Sequence, residues 1–329
     1  MNYLIVGLGA VGTVLSSCLN LEKDDKIYAL RSTKTPKKIY DIELDVIENL
    51  KDKIKIYPNV VFEYDNEPID IVFITTKSNY LDKVSLTFSK IKKHNPIVIC
   101  LMNGMGYESY FKGFNTFYGV IMYNAFKRDT KVVLGSKGGL ILDEKLEIYL
   151  KNRIKNLPLT FAKDIDAYRY RKLWLNTING FLSILGFSLF QFFEESIKYD
   201  FKTFSIFIEY LEETKILLER LNIKSEALPS LDPETLISLM KKILLKEKLN
   251  ETEQILYHNL PRGKNSTLQS IEKKESTEYE FIGGYLVNLA DKIDFSYKIN
   301  RYVYEKIKEY DKTYQFEFIS LDKMLQIFS

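Results

Sequence analysis

Histidine is nearly absent from this sequence, which holds two in 329 residues, His94 and His258. His94 lies in the polar turn KKHNP and His258 follows a helical stretch in ILYHNLPRG, and neither has a catalytic constellation near it. A histidine relay is therefore disfavoured, and any proton transfer is left to lysine or a carboxyl group. Cysteine is equally scarce. Cys18 and Cys100 each fall in an apolar run, which marks them as core thiols rather than a disulfide pair and suits a reducing cytoplasm. Charge of one sign is lacking too: 47 Lys and Arg stand against 44 Asp and Glu, and the net +3 is spread along the chain. That balance removes the electrostatic case for nucleic acid or an acidic membrane surface. Runs such as KEKLNETE and IEKKESTEYE mix both signs and read as solvated helix faces. There is no internal repeat and no low-complexity tract, and no signal peptide is expected ahead of the first strand.

One run lacks charge altogether. Residues 173–193 are long enough to span a bilayer. They also carry Asn176, Thr177, Asn179, Ser183, Ser188 and Gln191, and six such groups are costly in lipid. The expectation is a buried helix at a domain junction, lined by functional amides.

What the sequence does contain is alternation. A chain of this length with 46% hydrophobic and 28% charged residues is globular and exceeds one ordinary core. Residues 27–30, 60–64, 69–75, 97–101 and 119–123 read as strands, with helical patterns between several of them, notably 79–91. This predicts an α/β fold, a Rossmann-type doubly wound parallel sheet with helices on both faces. Residues 131–134 and 140–142 add short strands, expected as an antiparallel extension. From residue 167 onward nearly every segment has helical spacing, as in FSIFIEYLEETKILLERL. The predicted division is a dinucleotide-binding domain over 1–163 and an all-α domain over 164–329.

The opening MNYLIVGLGAVGTVLSSCLN carries the clearest motif. A short apolar run over 3–6 ends in G-x-G-x-x-G, and a helix is predicted over 10–19. In that context Gly7 makes the tight turn, Gly9 lets backbone approach a pyrophosphate, and Gly12 packs helix on sheet. The helix N-terminus adds free N–H groups and partial positive charge. The six residues Gly7, Leu8, Gly9, Ala10, Val11 and Gly12 are thus cofactor candidates. After the second strand, where an NAD site commonly places an acidic residue for the ribose, stands ALRSTKTPKK. Arg31 with Lys34, Lys37 and Lys38 suits a 2′-phosphate, so NADP(H) is favoured.

Further candidates sit at strand ends, where ligands of open α/β sheets bind. Lys77 follows the strand in FITTKSNY and Asn103 the strand in LMNGMG. In RYRKLWLNTING, Lys172 and Asn176 are four apart and share one face of an otherwise apolar helix. A desolvated lysine beside an amide is a candidate general acid. The segment NSTLQSIEKKESTEYEFIGGYL sets Ser266 and Glu278 around one helical stretch.

Together these residues resemble the ketopantoate reductase (2-dehydropantoate 2-reductase) family over nearly the whole chain. The carriers are GLGAVG, Arg31, Lys77, Asn103, K-x-x-x-N at Lys172 and Asn176, and S-x-L-Q at Ser266 followed by T-E at Glu278. The resemblance implies an NADPH-dependent reduction of ketopantoate in pantothenate and coenzyme A synthesis. It implies Lys172 as general acid, Asn176, Ser266 and Glu278 as substrate contacts, and Asn103 near the nicotinamide, with Glu278 counted toward the cofactor as well. It leaves open whether Glu278 binds substrate or orients Lys172, and it leaves open a homodimer.

There are departures from the family pattern. The second substrate asparagine is replaced by Gly180, a further amide by Phe190, an acidic residue after L-Q by Ser270, and a proline is missing from KIDFSYKIN. Asn179 is the remaining candidate substrate contact on that turn. On an unbroken helix Gly180 should leave a gap and an enlarged pocket, with Asn179 turned toward protein. Alternatives are a reductase of another 2-oxo acid, a β-hydroxyacid dehydrogenase, or a nucleotide-sensing protein without turnover. The β-hydroxyacid dehydrogenases place glycines just before the lysine, where this chain has Asp166-Ala167-Tyr168-Arg169-Tyr170-Arg171.

Overall fold

Strands with no polar face need cover on both sides, and the central ones here have it. In the computed structural model, which describes residues 1–30, 44–46, 59, 61–128, 131–134, 138–229 and 231–328, every residue of Ile71–Ile74 is buried, as are the last three of Ile97–Cys100. The strands are β1 (Asn2–Val6), β2 (Lys26–Leu30), β3 (Leu44–Val46), β4 (Val61–Glu63), β5 (Ile71–Ile74), β6 (Ile97–Cys100), β7 (Asn115–Ile121), β8 (Ala125–Arg128), β9 (Lys131–Leu134), β10 (Leu140–Asp143) and β11 (Leu159–Ala162). Eight form one sheet in the order β11-β10-β7-β6-β5-β1-β2-β4. β1 pairs parallel with both neighbours, Tyr3 facing Ile27 on one side and Ile71 on the other. The strand order therefore reverses at β1, the switch point beside which ligands of such sheets bind. Helices α1 (Ala10–Cys18) and α2 (Leu81–Ile91) follow β1 and β5, and the one-turn α3 (Glu147–Leu150) follows β10. Cys18 and Cys100 are free and buried, and burial pushes the Cys18 thiol up to about 12.

Some expectations need correction. Residues 140–142 do extend the main sheet antiparallel, Ile141 opposite Val120, but β11 then adds a parallel edge strand that the sequence pattern did not announce. Residues 131–134 leave that sheet altogether. They form β9 of a separate three-stranded sheet, parallel to β3 and antiparallel to β8.

The chain divides into two units, Met1–Met102 with Tyr107–Asp166, and Asn103–Gly106 with Ala167–Ser329. The second is helical throughout its described elements: α4 (Ile165–Leu185), α5 (Leu189–Ser196), α6 (Thr203–Arg220), α7 (Pro233–Leu245), α8 (Glu251–His258), α9 (Ser266–Glu272), α10 (Gly283–Asp291), α11 (Lys298–Thr313) and α12 (Leu321–Phe328). Its core is aromatic, with Phe181 stacked on Phe207 at 4.5 Å and Phe192 edge-on to both. The uncharged run 173–193 is two helices, not one. Gly186 at φ +75° ends α4, and Ser188 with Gln191 forms a capping box that starts α5. Two of the six polar groups that argued against a membrane are thus a helix cap. No single helix among the described residues is long and apolar enough to cross a membrane, and the pair Ile165–Leu185 and Leu189–Tyr199 passes only together, bent by 60°.

Candidate active site

In the first unit the glycine motif is built as its chemistry requires. Gly7 takes φ +95°, and a Cβ there would lie 2.6 Å from the Thr76 backbone. A Cβ on Gly12 would lie 2.5 Å from the Gly7 carbonyl and 2.6 Å from Thr75 Oγ1, so the helix packs against the turn with no room for a side chain. Gly9 is the opposite case, exposed and with nothing within 4 Å of such a Cβ. Thr75 Oγ1 donates to the Gly7 carbonyl at 2.9 Å and ties the turn after β1 to the end of β5. No side chain caps α1, and its first turn holds no acid. An open glycine before uncapped N–H groups leaves both space and donors for an anion. Leu8, Ala10 and Val11 are each partly exposed around it. Lys77 follows β5, partly exposed, and caps the short turn that leads into α2. Arg31 and its lysine neighbours lie outside the described residues.

The second unit gathers the other candidates. α4 runs as unbroken α-helix, so positions advance by about 100° per residue. Asn176 then lies about 40° from Lys172, Asn179 about 20° on the other side, and Ser183 again within about 20°. These four make a polar stripe along the helix. Asn176 is buried, and its amide Nδ2 donates to Asn103 Oδ1 at 3.3 Å. Asn103 itself is exposed, on a tetrapeptide that packs within this unit. The Met105 N–H donates to the Phe281 carbonyl at 2.8 Å, and Gly104 at φ +85° would drive a Cβ to 2.5 Å from the same oxygen. The loop after β6 is thus docked on the residues that follow Glu278.

Lys172 has no hydrogen bond or ion pair to another described residue. Part of its surface stays exposed, yet burial pushes its ammonium down to about 8, with no carboxylate opposing the shift. Its neighbour Arg171 is the reverse, buried and bonded to Asp232 and Glu234. A partly desolvated cation with no counter-charge is poised for an anion or a developing oxyanion, and it releases its proton readily. Any activity that depends on the protonated amine should fall tenfold per pH unit above about 8, and any that needs the free amine should rise through the same value. Steady-state rates between pH 6 and 10 check this.

Gly180 does not open a gap. A Cβ there would lie 2.1 Å from the Tyr279 hydroxyl and 2.2 Å from its ring carbon Cζ, so the phenol fills the space. Asn179 is partly exposed and makes no hydrogen bond to a described residue, which does not match the expected turn toward protein. The helical phase explains both outcomes, since residue 179 falls closer to Lys172 than residue 180 does. Phe190 lies under the Arg262 guanidinium at 3.7 Å. Ser266 is exposed at the start of α9, while Glu278 lies beyond that helix, at the head of the next turn, and is partly exposed. The sequence reading missed Asn265. Its Oδ1 accepts from the Leu268 N–H and from Ser183 Oγ, both at 3.0 Å, tying the Ser266 segment to the α4 stripe. The string NST before an apolar run was the available signal.

A glycine turn with free helix N–H groups on a parallel sheet, and a helical unit whose Lys172 bonds no other described residue, define a class: a two-unit dinucleotide-fold protein with a candidate proton donor. The chain belongs to the ketopantoate reductase PanE/ApbA family, whose model matches residues 3–144, with the family's C-terminal model matching residues 164–311. Among solved structures it is similar to a dimeric ketopantoate reductase from Staphylococcus aureus, at 16% identity over 96% of this chain and 100% of that one, TM-score 0.66. It is similar to a PanE/ApbA family ketopantoate reductase from Ralstonia eutropha at 15% identity, over 96% and 100% of the two chains, TM-score 0.67. A D-mandelate dehydrogenase in complex with NADH is also similar, at 18% identity over 96% and 100%, TM-score 0.64. No curated protein matches the sequence.

Proposed function

We propose that this protein is an NADPH-dependent 2-oxo acid reductase that converts ketopantoate to pantoate in pantothenate and coenzyme A synthesis, in the cytoplasm. The observation that carries this reading is the unpaired, desolvated ammonium of Lys172 on one helix stripe with Asn176 and Asn179. In this reading residues 1–163 bind the cofactor and residues 164–329 the substrate. Gly7, Leu8, Gly9, Ala10, Val11 and Gly12 hold the pyrophosphate, and Arg31 takes the 2′-phosphate. Lys77 and Asn103 serve the nicotinamide side. When bound, NADPH supplies the hydride that adds to the 2-oxo carbon. Negative charge then grows on the ketone oxygen, where Lys172 stabilises it and gives up its proton. Asn176, Asn179, Ser266 and Glu278 orient the acid. The chain acts as a homodimer with a small-molecule substrate.

A second reading keeps this chemistry and changes the acid. It is favoured by the Tyr279 phenol, which occupies the place of a side chain at Gly180, and by the structural likeness to a D-mandelate dehydrogenase. NADPH oxidation against ketopantoate and a panel of branched and aromatic 2-oxo acids separates the two, and no turnover of any of them rejects both. NADPH should be preferred over NADH by the ~1.5–3 kcal/mol of a charge-assisted hydrogen bond. Arg31→Glu should narrow or invert that preference. Equal kcat/KM for the two cofactors in the wild type would remove Arg31 from the site.

A further inference from the structure

Glu278 stands in the middle of a tripeptide that is anchored at both ends. On one side Asp311, in α11, accepts the Thr277 backbone N–H on Oδ1 at 2.7 Å and the Thr277 hydroxyl on Oδ2 at 2.5 Å. The Thr277 oxygen accepts in turn from the Tyr279 N–H at 3.2 Å, which closes the turn around Glu278. On the other side the Tyr279 phenol enters the helical core, where it is 1% exposed. Its hydroxyl lies 3.0 Å from that of Tyr210, which itself donates to the Thr177 carbonyl at 2.6 Å. Burial drives both phenols well above the usual tyrosine range, so both keep their protons. The Tyr279 hydroxyl reaches the same Thr177 carbonyl at 3.4 Å, and either phenol can donate to the other.

The fit around this ring is made by two absent side chains. A Cβ on Gly180 would lie 2.1 Å from the Tyr279 hydroxyl oxygen, and one on Gly283 would lie 2.3 Å from its ring carbon Cε1. Gly180 is eight residues beyond Lys172 on α4, and Thr177 is next to Asn176. The phenol therefore ties the backbone next to Glu278 directly to the helix that carries the candidate acid. The glycine that reads as a lost substrate contact is the socket for this anchor.

We infer that Tyr279 and Asp311 are positioning residues that hold Glu278 against the Lys172 helix. Neither is assigned contact with substrate; both act through Glu278, and the inference rests on the proposed reductase activity. A ring packed only for stability would change melting temperature and leave the kinetics of folded enzyme alone. An anchor for Glu278 changes how the substrate is held, and its effect vanishes once the Glu278 carboxylate is gone.

The test is a double-mutant cycle in the full-length enzyme, using the best 2-oxo acid found in the panel. Tyr279→Phe keeps the ring in its socket and removes only the hydroxyl. It and Asp311→Asn should each shift KM or kcat by about threefold to thirtyfold, while NADPH affinity, read by its fluorescence, stays within twofold. In a Glu278→Gln background the same substitutions should change either constant by less than twofold. Tyr310→Phe is the structural control, since that phenol donates to the Ser270, Ile271 and Glu275 carbonyls rather than to residues 277–279. It should leave both constants unchanged. Should Tyr279→Phe fail to fold, Tyr210→Phe removes the partner hydroxyl instead and is read in the same way. Effects that add in full to Glu278→Gln, or that Tyr310→Phe reproduces, overturn the inference and leave the reductase reading standing. A wild-type enzyme that reduces no 2-oxo acid overturns both.

Discussion

Lys172→Ala should lower kcat by ~10²–10⁴-fold while the proposed cofactor, NADPH, still binds, because in the proposed reduction the lysine acts mainly on charge that develops in the transition state. Among the described residues none hydrogen-bonds the ammonium or offers it a carboxylate. Its pKa near 8 comes from burial alone. Loss of turnover by misfolding makes a different prediction, and the sign of the linkage separates them. A lysine depressed in the fold costs stability while it is charged in the native state. That cost is relieved as pH rises from the folded value near 8 toward the unfolded value near 10.4. Lys172→Met, which removes the buried charge and keeps the volume, should therefore raise the melting temperature at pH 7 and still lose turnover. Near-normal kcat in either variant would return Lys172 to an ordinary lysine with a buried stem.

Much of this was legible in the sequence, and the reasons are local. The glycine motif could be assigned residue by residue because each role depends on backbone within a few positions: a positive φ at Gly7, an open approach at Gly9, a close helix packing at Gly12. The alternation of strand and helix gave the parallel sheet, since β5 and β6 are continuous apolar runs with turns after them. Helical phase paired Lys172 with Asn176, and Asn176 carries the hydrogen bond to Asn103. What stayed hidden depends on distant partners. Residues 131–134 read as a strand, yet beside the hairpin partner β8 they pair with residues 44–46, almost ninety positions earlier, and no periodicity encodes that pairing. The tetrapeptide 103–106 follows a strand of the first unit and groups with the second, because Phe281 and Tyr285 pack against Gly104 and Gly106. Gly180 was misread for the same reason. A glycine in a helix reads as missing volume until the aromatic ring that fills it, about a hundred residues later, is in view. The break at Gly186 was open to local reading, since Gly followed by Ser and then Gln three residues on is a stop and a start.

Arg171→Met should destabilise the protein by about 3–5 kcal/mol, the cost of breaking a buried ion pair from one side. Arg171 Nε and Nη2 donate to the two oxygens of Asp232, each at 2.8 Å, and Nη2 also reaches Glu234 at 2.6 Å. The guanidinium lies 4.9 Å from the Trp174 ring centre. Asp232 has a second task as N-cap of α7, where it accepts the Glu234 N–H and the Leu228 N–H. Removing the arginine leaves that carboxylate buried without its two guanidinium donors and still holding the start of the helix. Acid should shrink the difference. The Arg171 guanidinium, and then Lys215, hold the Glu234 carboxyl below the usual range. Stability from that pair is present above the unfolded carboxylate pKa and is lost as pH falls through the folded one. Wild type and Arg171→Met should thus differ most near pH 7 and converge as pH falls below 4, with the urea slope unchanged. Urea denaturation at both pH values measures this. Because Arg171 faces the core while Lys172 is left unpaired, kcat of the folded variant should stay within about twofold of wild type at a temperature where both are native. A large fall in kcat with an unchanged folded fraction would mean that Arg171 sets the position of Lys172 as well as the stability of the helix that carries it.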